Sequence, residues 1–520
     1  MDKVLIIQLA RTGDFLQTTP LFRKVKTAFP RCEVHVVIDT ALQELVGSCS
    51  DIDRWYDLDM KLITQIIQDN TDIEYVFKYL DKQLAGLHSI SFDAVYNLNY
   101  TPLSAAVASI SKSSRIYGYK LGKDSIRLIR SPWFAFFNAM VQHLPLAPFN
   151  LVDVFYHLAP PYMPASKKLL YCASSQSANH AATLLAPLHN RAPKKIALQL
   201  ATREPKRTWP VALFAETAFH ILERHDNAII LTGTASESFY TEQFKRIASL
   251  WPQEKQARIL DFTGKTTLPE LASILSNCCV LVTGDTGTMH LGAAVGTKIV
   301  GIFLGPACAG FTGPYGEGHI VFQATPSCWP CLEQDKCPYN IMCASYIDPK
   351  AVAQAVCNMI DNRPVSTITE DNVLVLHGRG DEFGIMYEPL GETEYVLKNR
   401  LYRIMGASLL NRGTGKGYIS QETNILPCRI EQYELLLQQI NAMINTAHTF
   451  APAVLQYRFY DDFSIWHPWI DFFNIMLRYC TPLPDGERDA VSAFCAGLTA
   501  AARMLRYYVL DNVQESCYVH

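Results

Sequence analysis

Twice along this chain a run of β-branched and aliphatic residues is followed by an amphipathic stretch and then by another such run. That repeated order limits the fold more narrowly than any other feature. The first block is Val4 to Leu9, Leu16 to Phe29 and Val34 to Ile38, with Asp93 to Leu98 as a further strand. The second is Lys195 to Leu200, a helix from about Val211 to Arg224, Ala228 to Thr232, then Cys279 to Thr283 and Ile299 to Leu304. Parallel neighbours need a crossover, so strand, helix, strand at this spacing points to parallel sheets. Two blocks predict an α/β chain with two doubly wound domains facing a cleft, with ligands at the carboxyl ends of the strands. The run Pro160 to Pro164 marks a linker between domains at 1–160 and 166–360, and a helical, polar insertion is expected at Leu62 to Leu87. Residues 363–520 change character and are expected to form an α+β extension. A hairpin is predicted around Val373 to Tyr387, and helices at Ile430 to Thr446 and Arg488 to Tyr508. Its aromatic strings, Tyr457 to Tyr460 and Ile465 to Phe473, read as core or as a carbohydrate-contacting surface.

Composition narrows the function classes. With 46 Lys+Arg against 49 Asp+Glu and 49% hydrophobic residues, the chain of 520 is neither disordered nor charged in the way a nucleic-acid binder is. Met1 to Ile7 reads as a first strand rather than a leader, and no uncharged run approaches the ~18 residues a spanning helix needs. A cytoplasmic protein is therefore expected. Pro132 to Phe137, preceded by Arg127 and Arg130, is either a buried helix face or a contact with the inner face of the cytoplasmic membrane. The 15 cysteines, mostly single and in apolar surroundings, read as reduced thiols.

The string Val282 to Ala294 carries the most chemistry. A strand ends in Gly284-Asp285-Thr286-Gly287 and a small-residue helix begins, so free amides and a positive helix end form an anion site. Asp285 is suited to sugar hydroxyls and His290 to a phosphate, against an alternative in which the Asp only caps the helix and the His only packs. Thr202 to Pro210, Gly233 to Glu237 and Phe262 to Leu268 follow other strands, and together the four loops outline a nucleotide-sized site.

Together these strings resemble glycosyltransferase family 9, the heptosyltransferase family of GT-B enzymes with two Rossmann-like domains. The residues that carry the resemblance are Leu9 to Pro20, Lys206 to Pro210, Phe262 to Leu268, Asp285-Thr286-Gly287 with His290, and Gly313 to Gly316, within roughly residues 1–360. Two departures stand out: one extra residue between Lys206 and Trp209-Pro210, and a longer Leu62 to Leu87 stretch. The resemblance implies inverting transfer of a sugar, heptose from ADP-heptose, without a catalytic divalent metal, to a lipopolysaccharide-core, other glycan, lipid-linked glycan or protein acceptor. It makes Asp14 the base that takes the acceptor's proton. It assigns Lys206, Thr202 and the helix from Thr286 and Gly287 to the leaving diphosphate, Glu237 and Thr266 to the nucleoside, and Asp285 and His290 to the sugar and diphosphate. Residue physics agrees for Asp14, because Gly13 would allow a tight turn that presents the carboxylate at the cleft mouth; helix capping is its alternative role. Arg11 and the Arg127/Arg130 region are candidates to meet an acidic acceptor on that side, the alternative being ordinary surface arginines. Asp57-Leu58-Asp59 has the form of a cation-binding pair but lies in the other domain and reads as solvated surface.

Cys328, Cys331, Cys337 and Cys343, spaced C-x2-C-x5-C-x5-C, can surround one tetrahedral ion. A structural Zn or Fe site that folds a loop is expected; the alternative is four reduced thiols. Autotransporter heptosyltransferases, in the wider family, are similar in carrying an iron-binding cysteine finger. Competing functional readings keep the fold with another nucleotide sugar, or make the chain a glycan-binding or assembly protein, a homo-oligomer among them, or a redox metalloprotein.

Overall fold

The computed structural model describes residues 1–390, except 70–72, 112, 122–126, 130, 132, 135–136, 138–146, 162, 165, 189–191, 225, 333–334 and 366–371, together with Arg403. Two compact units emerge: Met1–Ser131 with Phe149–Val396, and Pro132–Pro148 with Leu397–His520. The expected helices and aromatic strings beyond 390 lie outside the described residues, as do Arg130 and the side chain of Arg127. In the second unit Trp133 and Phe134 are only 3% and 1% exposed. For these two rings that is the buried-face alternative.

The first unit holds both predicted sheets. In the first, β1 (Lys3–Gln8), β2 (Glu33–Asp39), β3 (Arg54–Leu58), β4 (Ala94–Asn97), β5 (Ile116–Leu121) and β6 (Arg127–Ile129) lie in the order β3-β2-β1-β4-β5-β6. All its neighbours pair parallel except the antiparallel β5–β6 edge. Strand β1 reads as an unbroken apolar run because both its faces are covered: Val4, Leu5, Ile6 and Ile7 are fully buried. The insertion after β3 forms two helices, Met60–Asp69 and Ile73–His88, whose apolar stripe (Ile63, Val76, Leu84, Leu87) joins the core under the sheet. Asp59 caps the first of them by accepting the Leu62 amide at 2.8 Å, and Asp57 accepts from the Thr40 hydroxyl.

The second sheet contains β7 (Lys194–Gln199), β8 (Asn227–Thr232), β9 (Ile259–Asp261), β10 (Val280–Thr283), β11 (Lys298–Phe303) and β12 (Ile320–Ala324), with β13 (Val373–Asp381) and β14 (Gly384–Pro389). Its order is β14-β13-β12-β11-β10-β7-β8-β9. The predicted hairpin thus exists, but it pairs antiparallel with β12 and completes this sheet. In each sheet the strand order reverses at the first strand, β1 against β4 and β7 against β10, which opens a crevice at the carboxyl ends.

The two sheets are tied through the Leu151–Leu158 helix, which packs on the Thr12–Ala28 helix. Asp153 accepts the Tyr315 hydroxyl at 2.6 Å and the Ile385 amide at 3.3 Å, while Asn150 donates to the Gly313 carbonyl at 3.0 Å. The Gly313 to Gly316 string is therefore a structural joint. Lys24 crosses the same helix pair to reach the Tyr156 carbonyl at 2.8 Å, and burial lowers its pKa to about 7.

Candidate active site

The helix after β1 starts at Thr12, earlier than the pattern suggested, so Gly13 and Asp14 lie in its first turn and not in a preceding loop. Gly13 is there for close approach rather than for turn geometry: a Cβ would stand 2.9 Å from His290 Cδ2 and 3.7 Å from the Gly287 Cα. A Cβ on Gly287 would likewise meet the Thr12 Cβ at 3.4 Å. Two helices, Thr12–Ala28 from one sheet and Gly287–Ala294 from the other, thus bring their N-terminal turns into contact. Their exposed amide dipoles act on one region of the crevice and favour negative charge there.

Asp14 accepts the Arg11 amide at 3.2 Å, closing its own helix's first turn from the third position. Burial is the strongest influence on its carboxyl and raises the pKa above the ordinary aspartate value; the Arg11 amide and charge oppose that shift. Arg11 itself is exposed. Beneath Asp14 lies a buried amide network that the sequence reading did not single out. Gln8 Nε2 donates to Thr18 Oγ1 at 3.0 Å and to the Asp14 carbonyl at 3.4 Å. Gln8 Oε1 accepts Asn99 Nδ2 at 2.7 Å and the Ala10 amide at 3.3 Å, and Asn99 Oδ1 accepts the Leu9 amide at 2.6 Å. The available signal was a glutamine closing the apolar strand β1 and Asn97-Leu98-Asn99 closing β4.

Across the crevice Thr286 is the N-cap, accepting the Met289 amide at 3.2 Å and bonding the Thr283 hydroxyl at 3.0 Å. His290 is 4% exposed, and burial lowers its pKa to about 4, so the ring is neutral. Its Nδ1 finds no hydrogen-bond partner among the described residues. Asp285 accepts Arg207 Nη1 at 2.9 Å and the Thr312 hydroxyl at 3.1 Å. The Thr202 loop presses against this turn, since a Cβ on Gly284 would stand 2.7 Å from Thr202 Cγ2. Thr202 spends its hydroxyl inside the loop, on the Glu204 carbonyl at 2.7 Å and Thr208 Oγ1 at 2.9 Å.

Lys206 is not at Asp285. Its ammonium donates to the Leu332 carbonyl at 2.7 Å and to that of Asp335, and Arg207 takes the place facing the crevice. Sequence reasoning missed Arg207, although the extra residue before Trp209 was the clue. Glu237 accepts the Thr234 amide at 2.7 Å and Gln199 Nε2 at 3.2 Å; the Gln199 oxygen reaches Thr288 Oγ1 at 3.4 Å, so Gln199 bridges Glu237 to the Gly287 helix. Thr266 is half-buried in the next loop, which is fastened to the Glu237 loop by the Gly264 amide donating to the Gly233 carbonyl at 2.8 Å. Asp14, Arg207, Asp285, Thr286, Gly287 and His290 thus form one cluster, with Glu237 and Thr266 one and two strands away. A groove of about 680 Å3 between Pro205–Ala212 and the Ser238–Ala248 helix, lined by Trp209, Phe239, Tyr240 and Arg246, runs beside that cluster rather than through it.

Cys328, Cys331, Cys337 and Cys343 line one small cavity of about 20 Å3. The Ile341 amide donates to Cys337 Sγ at 3.3 Å, and burial followed by the neighbouring thiols raises the pKa of Cys331. The donor set fits a soft tetrahedral ion. Among the described residues no three His, Cys, Asp or Glu side chains converge closely enough to hold a metal as they stand, so the finger would have to contract around one.

Comparison with known proteins follows the same lines. Residues 82–341, half of the chain, match the profile of glycosyltransferase family 9 (heptosyltransferase). Lipooligosaccharide heptosyltransferase 2 of Campylobacter jejuni is 27% identical over 158 residues, 30% of this chain and 47% of that protein. The matched part thus spans about half of that relative, and a third of lipooligosaccharide heptosyltransferase 2 from Haemophilus influenzae, which is 29% identical over 119 residues, 23% of this chain. Among solved structures, a family 9 glycosyl transferase from Veillonella parvula superimposes with a TM-score of 0.53 at 18% identity, covering 69% of this chain and 97% of that one. ADP-heptose lps heptosyltransferase II of E. coli does so with a TM-score of 0.50 at 17% identity, covering 69% and 99%. Those two likenesses establish the GT-B fold, and the profile match gives the assignment: the chain belongs to glycosyltransferase family 9, the heptosyltransferases.

Proposed function

We propose that this protein is an inverting glycosyltransferase that moves heptose from ADP-heptose onto a hydroxyl of a lipopolysaccharide-core, other glycan, lipid-linked glycan or protein acceptor. The observation that carries the reading is the contact between two helix N-termini, one presenting Asp14 and the other capped by Thr286 beside Asp285 and Arg207. Asp14, with a pKa raised by burial, is suited to accept the proton of the attacking hydroxyl. The acceptor oxygen bonds to the anomeric carbon as the bond from that carbon to the diphosphate oxygen breaks, and ADP leaves as an anion. Arg207 and the amides of the Gly287 turn stabilise the charge that grows on the diphosphate, work that a divalent cation does in other sugar-nucleotide enzymes. Neutral His290 cannot contribute a full charge and serves as a packed wall against Gly13. Names of the relatives support the heptose donor, and a cytoplasmic site of action fits a nucleotide-sugar substrate. No helix among the described residues is long and apolar enough to cross a membrane.

The cysteine finger is read as a structural zinc or iron site. A bound ion there would supply folding free energy to its loop and no step of the transfer.

Thermal stabilisation across ADP, ADP-heptose, UDP, GDP and CMP tests the donor, because a ligand of the native state raises apparent stability. The reading expects the largest shift with the adenine nucleotides. A larger shift with another nucleotide removes heptose from the account, and no shift with any of them removes sugar transfer.

A further inference from the structure

The loop that carries Lys206 and Arg207 is fastened from outside by the cysteine-bearing segment. At its middle the Lys206 ammonium donates to the Leu332 and Asp335 carbonyls. At its end the Trp209 indole N–H donates to the Ala344 carbonyl at 3.0 Å, with Trp209 1% exposed in a core that includes Ala344 and Ile347. Lys206 and Gly305 line the same cavity as the four cysteines. Gly305 has φ +58°, and a Cβ there would stand 3.0 Å from the Lys206 carbonyl, so that main chain is held against the finger's floor. Arg207, between the two fastenings, extends to Asp285 at 2.9 Å.

We propose that the cysteine finger is a clamp on the donor loop: by holding Lys206 and Trp209 it aims Arg207 into the crevice, and so sets the affinity for a nucleoside diphosphate that it does not touch. Lys206 is then a positioning residue, not a diphosphate ligand. The physical basis is pre-organisation, since a loop fixed before binding loses less conformational freedom when the ligand arrives. Contraction of four thiols around a soft ion would tighten the same fastening. This inference rests on the donor site being where the proposed function puts it.

The test pairs ADP titration calorimetry with amide hydrogen exchange of residues 203–210. It uses the full chain, the variants Lys206→Met and Trp209→Phe, a Cys331→Ser/Cys337→Ser pair, and that pair combined with Lys206→Met. Each variant should weaken ADP about tenfold, and the combination should be no worse than its parts, because both break one coupling. Exchange of the loop should rise in all of them, while metal content falls only where cysteines are replaced. Additive losses would make Lys206 an independent diphosphate ligand and overturn the clamp. So would unchanged loop exchange in the cysteine pair, provided Trp209→Phe, which keeps an aromatic ring but loses the N–H donor and part of the buried indole volume, is unchanged as well. Should the wild-type chain bind no nucleotide, the donor reading falls and the exchange arm alone decides the clamp.

Discussion

The two loops that face each other across the crevice are held in different ways. After β1, the chain from Leu9 to Asp14 is supported from beneath by Gln8 and Asn99, buried amides at the ends of adjacent strands. After β7, the chain from Thr202 to Trp209 is held partly by its own threonines and partly by Leu332, Asp335 and Ala344, from a segment 126 to 135 residues further along the chain. An internally satisfied loop keeps its geometry whatever happens elsewhere, whereas an externally held one takes on the stability of its holder. The carboxylate side should therefore be rigid, and the diphosphate side should be adjustable from a distance.

The largest effect we expect separates the two helix N-termini by pH. His290 falls from an ordinary 6.5 to about 4 in the fold, so the unfolded chain binds the extra proton between those values. Stability should then be lost as pH falls through that window, by up to about 3 kcal/mol from this one group. Urea unfolding of wild type and His290→Gln between pH 7 and 4 checks this; parallel curves would mean that the imidazole is not held neutral in the contact.

Next comes the cation. Arg207→Met should weaken ADP about 10- to 100-fold, since it removes a charge-assisted bond and leaves Asp285 without that partner. Restored affinity with Lys at 207 would show that point charge suffices there. If Arg207→Met binds ADP as wild type does, the diphosphate side is not where this loop puts it. A smaller effect is expected from Gly13→Ala, whose methyl would stand 2.9 Å from His290 Cδ2. Crowding that contact should cost about 1–3 kcal/mol in calorimetric stability, whereas alanine at an ordinary position in a helix's first turn would be neutral or stabilising.

Gln8→Leu is the mildest and addresses the carboxylate side alone. Turnover should fall about tenfold with donor KM unchanged, because lost hydrogen bonds of ~1 kcal/mol or more loosen the backbone that presents Asp14. A change confined to KM would place the network's influence on the donor instead.

What was legible in the chain follows the same division. Strands covered on both faces, such as β1 and β7, appear as apolar runs, and the Asp285 to His290 turn reads directly from adjacent residues. Helix onset at Thr12 was harder to see because Gly13 is a poor helix former; its reason for being there, His290, is remote in sequence. The placing of Lys206 away from Asp285 depends on a carbonyl 126 residues away, and the Gln8–Asn99 pair spans 91. Neither spacing leaves a local pattern. The hairpin of β13 and β14 was visible as two strands, but its partner β12 was not, since pairing register across a long connection is decided by packing.

The central claim is that Asp14 takes the acceptor's proton and does not bind the donor. Its most direct test compares Asp14→Asn with wild type in two measurements on the same preparation, turnover of the donor with acceptor and ADP affinity by calorimetry. The account predicts a fall in turnover of about 10²- to 10⁴-fold, with ADP affinity kept and, in wild type, a rate that rises with pH as a carboxyl above the usual aspartate range ionises. Turnover near the wild-type level, or a loss of ADP binding as large as the loss of rate, would contradict it.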